Sequence, residues 1–237
     1  VMNTDNTAIS GETIDYGPCA FMDHYSPKVV FSSIDKLGRY SFANQAPIIK
    51  WNLSRFAECL IPLIDKNEDT AIKIATEIID NFEKIYEVKW LNMMRDKLGL
   101  FGENINDREL INNLLSWMEN NKADYTNTFC YLMNIRINNS EIYNDKIFIN
   151  WLDVWKKRSL MNNGSKEKQL DIMLNVNPSV IPRNHKVEEA LTSANDDDLK
   201  VMNKLLSVLD KPYGKQKDIE EYQSPSDNKE YQTFCGT

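Results

Sequence analysis

From about residue 44 onward apolar residues recur at helical spacing, whereas the first forty residues show no such period. Ile49, Leu53, Phe56, Leu60 and Leu63 lie three and four apart, which predicts a helix with one apolar stripe. A longer helix is predicted from about Glu68 to Leu98 through Ile72, Ala75, Ile78, Phe82, Ile85 and Met93, with Gly99 as its stop. Asn106 with Glu109 three residues later reads as a capping box, opening a helix that turns Leu110, Leu114 and Met118 inward. Further helical stretches cover about 125–136, 146–162, 165–174, 186–195 and 197–209. Pro178 and Pro182 interrupt the pattern, Pro212 ends it, and the polar tail from Tyr213 to Thr237 reads as extended. The acidic run Asp196 to Asp198 reads as a helix N-terminus, where carboxylates complement the dipole.

The opening stretch NTDNTAISGETIDYGP, Asn3 to Pro18, differs in kind. Two short β-prone runs flank Ser10-Gly11-Glu12, and Gly11 can take the positive φ of a tight hairpin. With Ser10-Gly11 as the loop, Ile9 faces Glu12, Thr7 faces Ile14 and Asn6 faces Asp15. Opposed residues place their Cβ atoms ~5 Å apart, close enough for an amide oxygen and a carboxylate to share a cation. Magnesium needs few protein ligands, since it keeps phosphate oxygens and waters for the rest. A Gly11-Glu12 loop would offset the pair by two residues, and a purely structural hairpin is the alternative.

Composition narrows the function classes. The 237 residues are 42% hydrophobic, enough for a sizeable core, and carry a net charge of −7, which argues against a broad nucleic-acid-binding face. No apolar run approaches the ~18 residues of a membrane span. Cys19, Cys59, Cys130 and Cys235 form no CxxC pair, and the chain has two histidines, so structural zinc is not expected and reduced thiols are. His24 and His185 lack metal-ligand spacing, while Trp151 and Trp155, four apart, read as one buried helical face. Trp51 and Asn52 read as anchors of the first helix. Arg39 and Tyr40 in GRYSF suit either phosphate contact or a structural ion pair, the latter preferred. Asp23 reads as a turn or cap acid.

The Asn6 and Asp15 arrangement is similar to that of protein kinases, where a catalytic-loop Asn and the Asp of Asp-Phe-Gly hold magnesium against nucleotide phosphates. Asp15-Tyr16-Gly17 would stand in for Asp-Phe-Gly. Kinases place the catalytic Asp several residues before the Asn, whereas Asp5 here adjoins Asn6. The wording NTDNTAISGETIDYGPCAFMD, then GRYSFANQAPIIKWNLSRFAECLIPL, resembles the selenoprotein O family of kinase-like proteins. NPSVIPRNHKVEEAL, KPY and the final YQTFCGT extend the likeness, and the region from about 100 to 165 carries little of it.

The resemblance implies a mainly α chain: a protein-kinase-like C-terminal lobe, with a short β-hairpin at an N-terminal metal site followed by a helical bundle. Residues 1–43 would hold the catalytic-loop hairpin, the Asp-Tyr-Gly motif and an activation-segment-like region, residues 44–212 the helical lobe, and residues 213–237 an extended tail. It implies a protein adenylyltransferase that moves AMP from ATP to Ser, Thr or Tyr hydroxyls of proteins, with magnesium or manganese. Asp5 matches the proton acceptor, Asn6 and Asp15 the metal ligands, with Asp15 also at the nucleotide. Asp5, as a carboxylate, is a weak base, so orienting the hydroxyl is its larger expected role.

Cys235 falls where the family often carries Cys or selenocysteine, which in some members pairs with a Cys after the Asp-x-Gly motif. KVVFSSID has no cysteine there, and Cys19 lies earlier. No N-terminal lobe with phosphate loop, Lys and Glu is recognisable, so the chain is expected to be a fragment that partners the missing lobe and is itself inactive. A cytoplasmic setting is expected. Protein phosphorylation and a non-enzymatic helical interaction module are the competing readings.

Overall fold

The structure is a computed structural model that describes residues 1–14, 19–135, 137, 140–161 and 165–226. It is mainly helical, and among the described residues the only β pairing is two isolated antiparallel bridges, His24 with Asp124 and Pro178 with Tyr213. Among the described residues the chain divides into two compact units, one holding residues 1–14, 19 and 27–90, the other 20–26, 91–135, 137, 140–161 and 165–226.

In the first unit, α1 (Gln45–Ile64) and α2 (Glu68–Asp80) form an antiparallel pair across the short link 65–67. The Asn67 side chain caps α2 by accepting the Thr70 N–H at 2.9 Å. Ala71 and Ala75 are the buried residues of α2, and their small side chains permit close helix approach. The expected long second helix is two helices: Asn81 caps α2, and α3 (Phe82–Lys97) follows at once. The stripe predicted for α1 is also displaced. Ile48 and Asn52 are its buried residues, whereas Phe56 is 40% and Leu63 81% exposed.

The second unit holds a larger core. α4 (Asp107–Asn121) packs on α6 (Lys146–Ser159), with α5 (Tyr125–Leu132) between them in sequence. Leu110, Leu114 and Met118 are buried as expected. Trp151 and Trp155 are buried and stack 6.1 Å apart, and each indole N–H donates to a backbone carbonyl, of Leu110 and Leu98 respectively. Asn106 flanks α4, but the capping box does not form; Asp107 is instead fully buried between Arg95 and Arg158. Burial pushes its carboxyl up, and hydrogen bonds from Arg158 and Arg95 more than offset this, leaving it below the ordinary carboxylate value.

Gly99 ends α3 as predicted, at φ +62°. A Cβ there would meet the Gln169 side chain, Met173 Cγ at 2.9 Å and Gln169 O at 3.0 Å. Near that end the Lys97 ammonium lies 4.3 Å from the Phe129 ring centroid and 5.3 Å from that of Tyr125, and burial lowers its pKa to about 8.

α7 (Lys166–Val176), α8 (Asn184–Asn195), α9 (Lys200–Leu209) and the short α10 (Glu220–Gln223) complete the unit. Val180, Ala190 of α8, Leu205 and Val208 of α9, and Ile219 and Tyr222 at α10 form one apolar cluster. The acidic run spans the α8–α9 link, where Asp196 closes α8 and Asp198 Oδ1 accepts the Lys200 N–H. Residues 213–226 carry α10, so this part of the expected extended tail is partly helical. No helix among the described residues is long and apolar enough to cross a membrane.

Candidate active site

Residues 3–7 fold as a single 3-10 turn, Thr4–Asn6. Asn3 caps it, its side chain accepting the Asn6 N–H at 3.0 Å, and Thr7 N–H closes it on Thr4 O at 3.3 Å. The Asn6 side-chain NH2 donates to Val1 O at 2.9 Å, which fixes the carboxamide's orientation and leaves Oδ1 with no hydrogen-bond donor among the described residues. Asp5 is exposed, and among the described residues its carboxylate accepts only a long 3.5 Å contact from the Thr4 hydroxyl. Two hard oxygen donors thus stand on adjacent exposed residues.

The turn is held to α1. Asn52 is 5% exposed, and its Nδ2 donates to Met2 O (3.0 Å), Asn3 O (3.3 Å) and Thr7 Oγ1 (2.8 Å). Thr7 in turn donates its hydroxyl to Asn3 O at 2.9 Å.

Beyond Thr7 the backbone departs from the expected hairpin. Gly11 N–H bonds to Ala8 O at 3.0 Å, so Ile9 and Ser10 are the central turn residues, and residues 7–14 form no ladder among the described residues. Gly11 does take the positive φ expected of it, +74°. Asp15, with Tyr16, Gly17 and Pro18, lies outside the described residues, as does Cys235. Among the described residues no three His, Cys, Asp or Glu side chains cluster as a metal site.

Asp23 is neither a simple turn acid nor a cap. It pairs with the buried Arg183 at 2.6 Å and accepts the Ser226 N–H at 3.1 Å. Arg183, 1% exposed, also meets Asp124 at 2.6 Å and Gln223 O at 2.7 Å. Burial would lower the guanidinium's pKa, but Asp124 and Asp23 raise it above the ordinary arginine value. Tyr25 N–H to Ala123 O and Tyr125 N–H to Asp23 O, both 2.9 Å, tie the same segment to the start of α5.

The ion pair preferred for Arg39 is absent among the described residues. Its guanidinium lies 4.8 Å from the Trp51 ring centroid, and Arg55 lies 5.4 Å from the same ring. Cys19 is a free, exposed thiol. His185 Nδ1 is buried without a hydrogen-bond partner among the described residues, and burial lowers that imidazole's pKa. A groove of about 710 Å³ between α4 and α6 is lined by Trp117, Trp151, Asn113, Asn150 and Lys157, none of them an expected site residue.

Of the two expected anchors of α1, Asn52 is buried and Trp51 is 42% exposed; sequence reasoning missed the hold of Asn52 on the N-terminal turn and the role of Arg183. Asn52 lies four residues after Ile48, so a polar residue at the core phase of α1 was the available signal. Arg183 had no comparable signal, because its partners lie up to 160 residues away.

Residues 1–210 match the family described as "Protein adenylyltransferase SelO". The chain belongs to the SelO family. It is 60% identical over 239 aligned residues to the "Protein nucleotidyltransferase YdiU" of Pelagibacter ubique (strain HTCC1062), covering 100% of this chain and 50% of that protein. The proteins of the same description from Alkaliphilus metalliredigens (strain QYMF) and Clostridium beijerinckii (strain ATCC 51743 / NCIMB 8052) are 50% and 49% identical, each aligned over 100% of this chain and 49% of the relative. The chain therefore spans about half the length of the curated relatives it matches.

Proposed function

We propose that this chain is part of a magnesium-dependent protein adenylyltransferase, which moves AMP from ATP to Ser, Thr or Tyr hydroxyls of proteins. The observation that carries the reading is the exposed Asp5–Asn6 pair, with one oxygen donor uncommitted and the other barely engaged. The Asn6 amide oxygen fits a hard cation that keeps waters and phosphate oxygens as its other ligands, and the Asp5 carboxylate beside it is left to the acceptor hydroxyl. Asn6 would hold magnesium, together with Asp15 from outside the described residues, where Asp15 also meets the nucleotide. Bound there, the ion offsets charge on the phosphate oxygens and the leaving pyrophosphate.

Asp5 orients the acceptor hydroxyl and takes its proton as the acceptor oxygen bonds to the α-phosphorus and the bond to pyrophosphate breaks. A short side chain fixed on a one-turn element suits orientation, because its reach is narrow. Manganese would serve in magnesium's place. The remaining polypeptide seen in the relatives would supply the rest of the nucleotide pocket.

The test uses a protein of the relatives' full length and ATP labelled on the α- or the γ-phosphate. Retention of the α label on acceptor protein, and its loss in Asp15→Ala, is the expected result. Retention of the γ label alone would assign phosphoryl transfer instead, and no transfer of either would favour a binding module. The 237-residue chain alone is expected to bind ATP weakly, and micromolar affinity by calorimetry would contradict that.

A further inference from the structure

We infer that Asn52 of α1 is the positioning residue for the Asp5–Asn6 pair, an inference that rests on the proposed role of that pair. Its carboxamide reaches Met2 O, Asn3 O and Thr7 Oγ1, which bracket residues 4–6 from both sides. All three partners are acceptors. The Thr7 hydroxyl uses its one hydrogen on Asn3 O, so its oxygen can only accept from Asn52. Two N–H groups thus serve three oxygens, and the amide must present nitrogen, not oxygen, to the turn.

That orientation has a cost visible in the structure. The Asn52 Oδ1 is buried and has no hydrogen-bond partner among the described residues. A buried acceptor left unpaired is unfavourable, and an apolar residue at this phase would pack beside Ile48 without it. Helix packing therefore does not account for an asparagine at position 52, whereas the geometry of the turn does. A short side chain with paired donors reaches the carbonyls before the Asp5–Asn6 step and the Thr7 hydroxyl after it.

Asn52→Asp is the sharp variant, equal in shape but offering oxygens to oxygens. Thr7→Val is the second, because it removes one end of the clamp without touching α1. Each is made in the 237-residue chain, and Mn2+ alone is titrated while broadening of the Asn6 side-chain amide signal is followed by NMR. Backbone order parameters of residues 4–6 and the far-UV melting curve are recorded on the same samples.

In both variants the order parameters are expected to fall from ~0.85 to below ~0.6. The Mn2+ concentration for half-broadening should rise tenfold or more, with the melting curve unchanged. Order parameters and Mn2+ response within twofold of wild type would overturn the inference. Should Asn52→Asp unfold, Thr7→Val decides by the same criteria. If Mn2+ leaves Asn6 unbroadened in wild type, the metal role proposed for Asn6 falls, and the order parameters alone decide the role of Asn52.

Discussion

Arg183 shows how much one buried charge can organise. It is 1% exposed, and its guanidinium is shared among Asp23, Asp124 and Gln223 O. Removing one member of such a group leaves the others buried and unpaired, which costs about 3–5 kcal/mol. Arg183→Met is expected to lose that much in urea unfolding. Lys97 makes the opposite kind of prediction. Its folded pKa is about 8, against ~10.4 for an unfolded lysine, so between these values the unfolded chain holds more protons. Stability from this group therefore rises as pH climbs through 8 and is lost as pH falls through it. Cys130, raised to about 12 by burial, acts in the other direction above pH ~9, so the comparison is with Lys97→Met. That variant should be more stable than wild type at pH 7, with the advantage shrinking toward pH 9 in chemical denaturation. At this scale the sequence named Asp5 and Asn6 as candidates through a motif, and the structure puts both on one exposed turn. The partners of Asn52 and Arg183 were not legible, because they lie 40 to 160 residues distant.

Among the elements, helix number and spacing were largely readable and helix faces less so. α4 and α6 sit in the larger unit, and their apolar periodicity matches their burial through Leu114, Met118, Trp151 and Trp155. α1 and α2 bury little besides Ile48, Asn52, Ala71 and Ala75, so a period of three and four could not say which phase faces inward. The break between α2 and α3 at Asn81 lacks Gly or Pro, which is why the pattern ran through it. Gly99 was legible because two requirements coincide there: positive φ and a space closed by Gln169 and Met173. Gly99→Ala combines left-handed strain of roughly 1–2 kcal/mol with overpacking of roughly 1–3 kcal/mol. A loss of at least 2 kcal/mol in thermal unfolding is the expected outcome.

For the molecule as a whole, the mainly helical class and the family were both readable, the latter because wording recurs from the first residues to near the end. The first unit nevertheless exposes Ile9 (84%), Leu37 (96%), Leu63 (81%) and Ile78 (65%), more than isolated surface residues require. None of these supports the core, so Leu37→Lys with Leu63→Lys should change unfolding free energy by less than about 0.5 kcal/mol per site. The same pair should reduce light scattering at high protein concentration. A net charge of −7 already disfavours self-association, and two added lysines reduce that charge, so a fall in scattering would isolate the apolar term.

The Arg183 hub joins Asp23, Asp124 and Gln223, and through Asp23 it also reaches Ser226, a contact 203 residues apart in the chain. Closing loops of that length is entropically slow and is rewarded only once the intervening helices exist. The hub is thus expected to form late in folding, as a latch closed after the transition state. In stopped-flow kinetics Arg183→Met should leave the refolding rate nearly unchanged and put its whole effect into faster unfolding. The native lifetime of the chain, more than its route to the native state, is then what this one guanidinium controls.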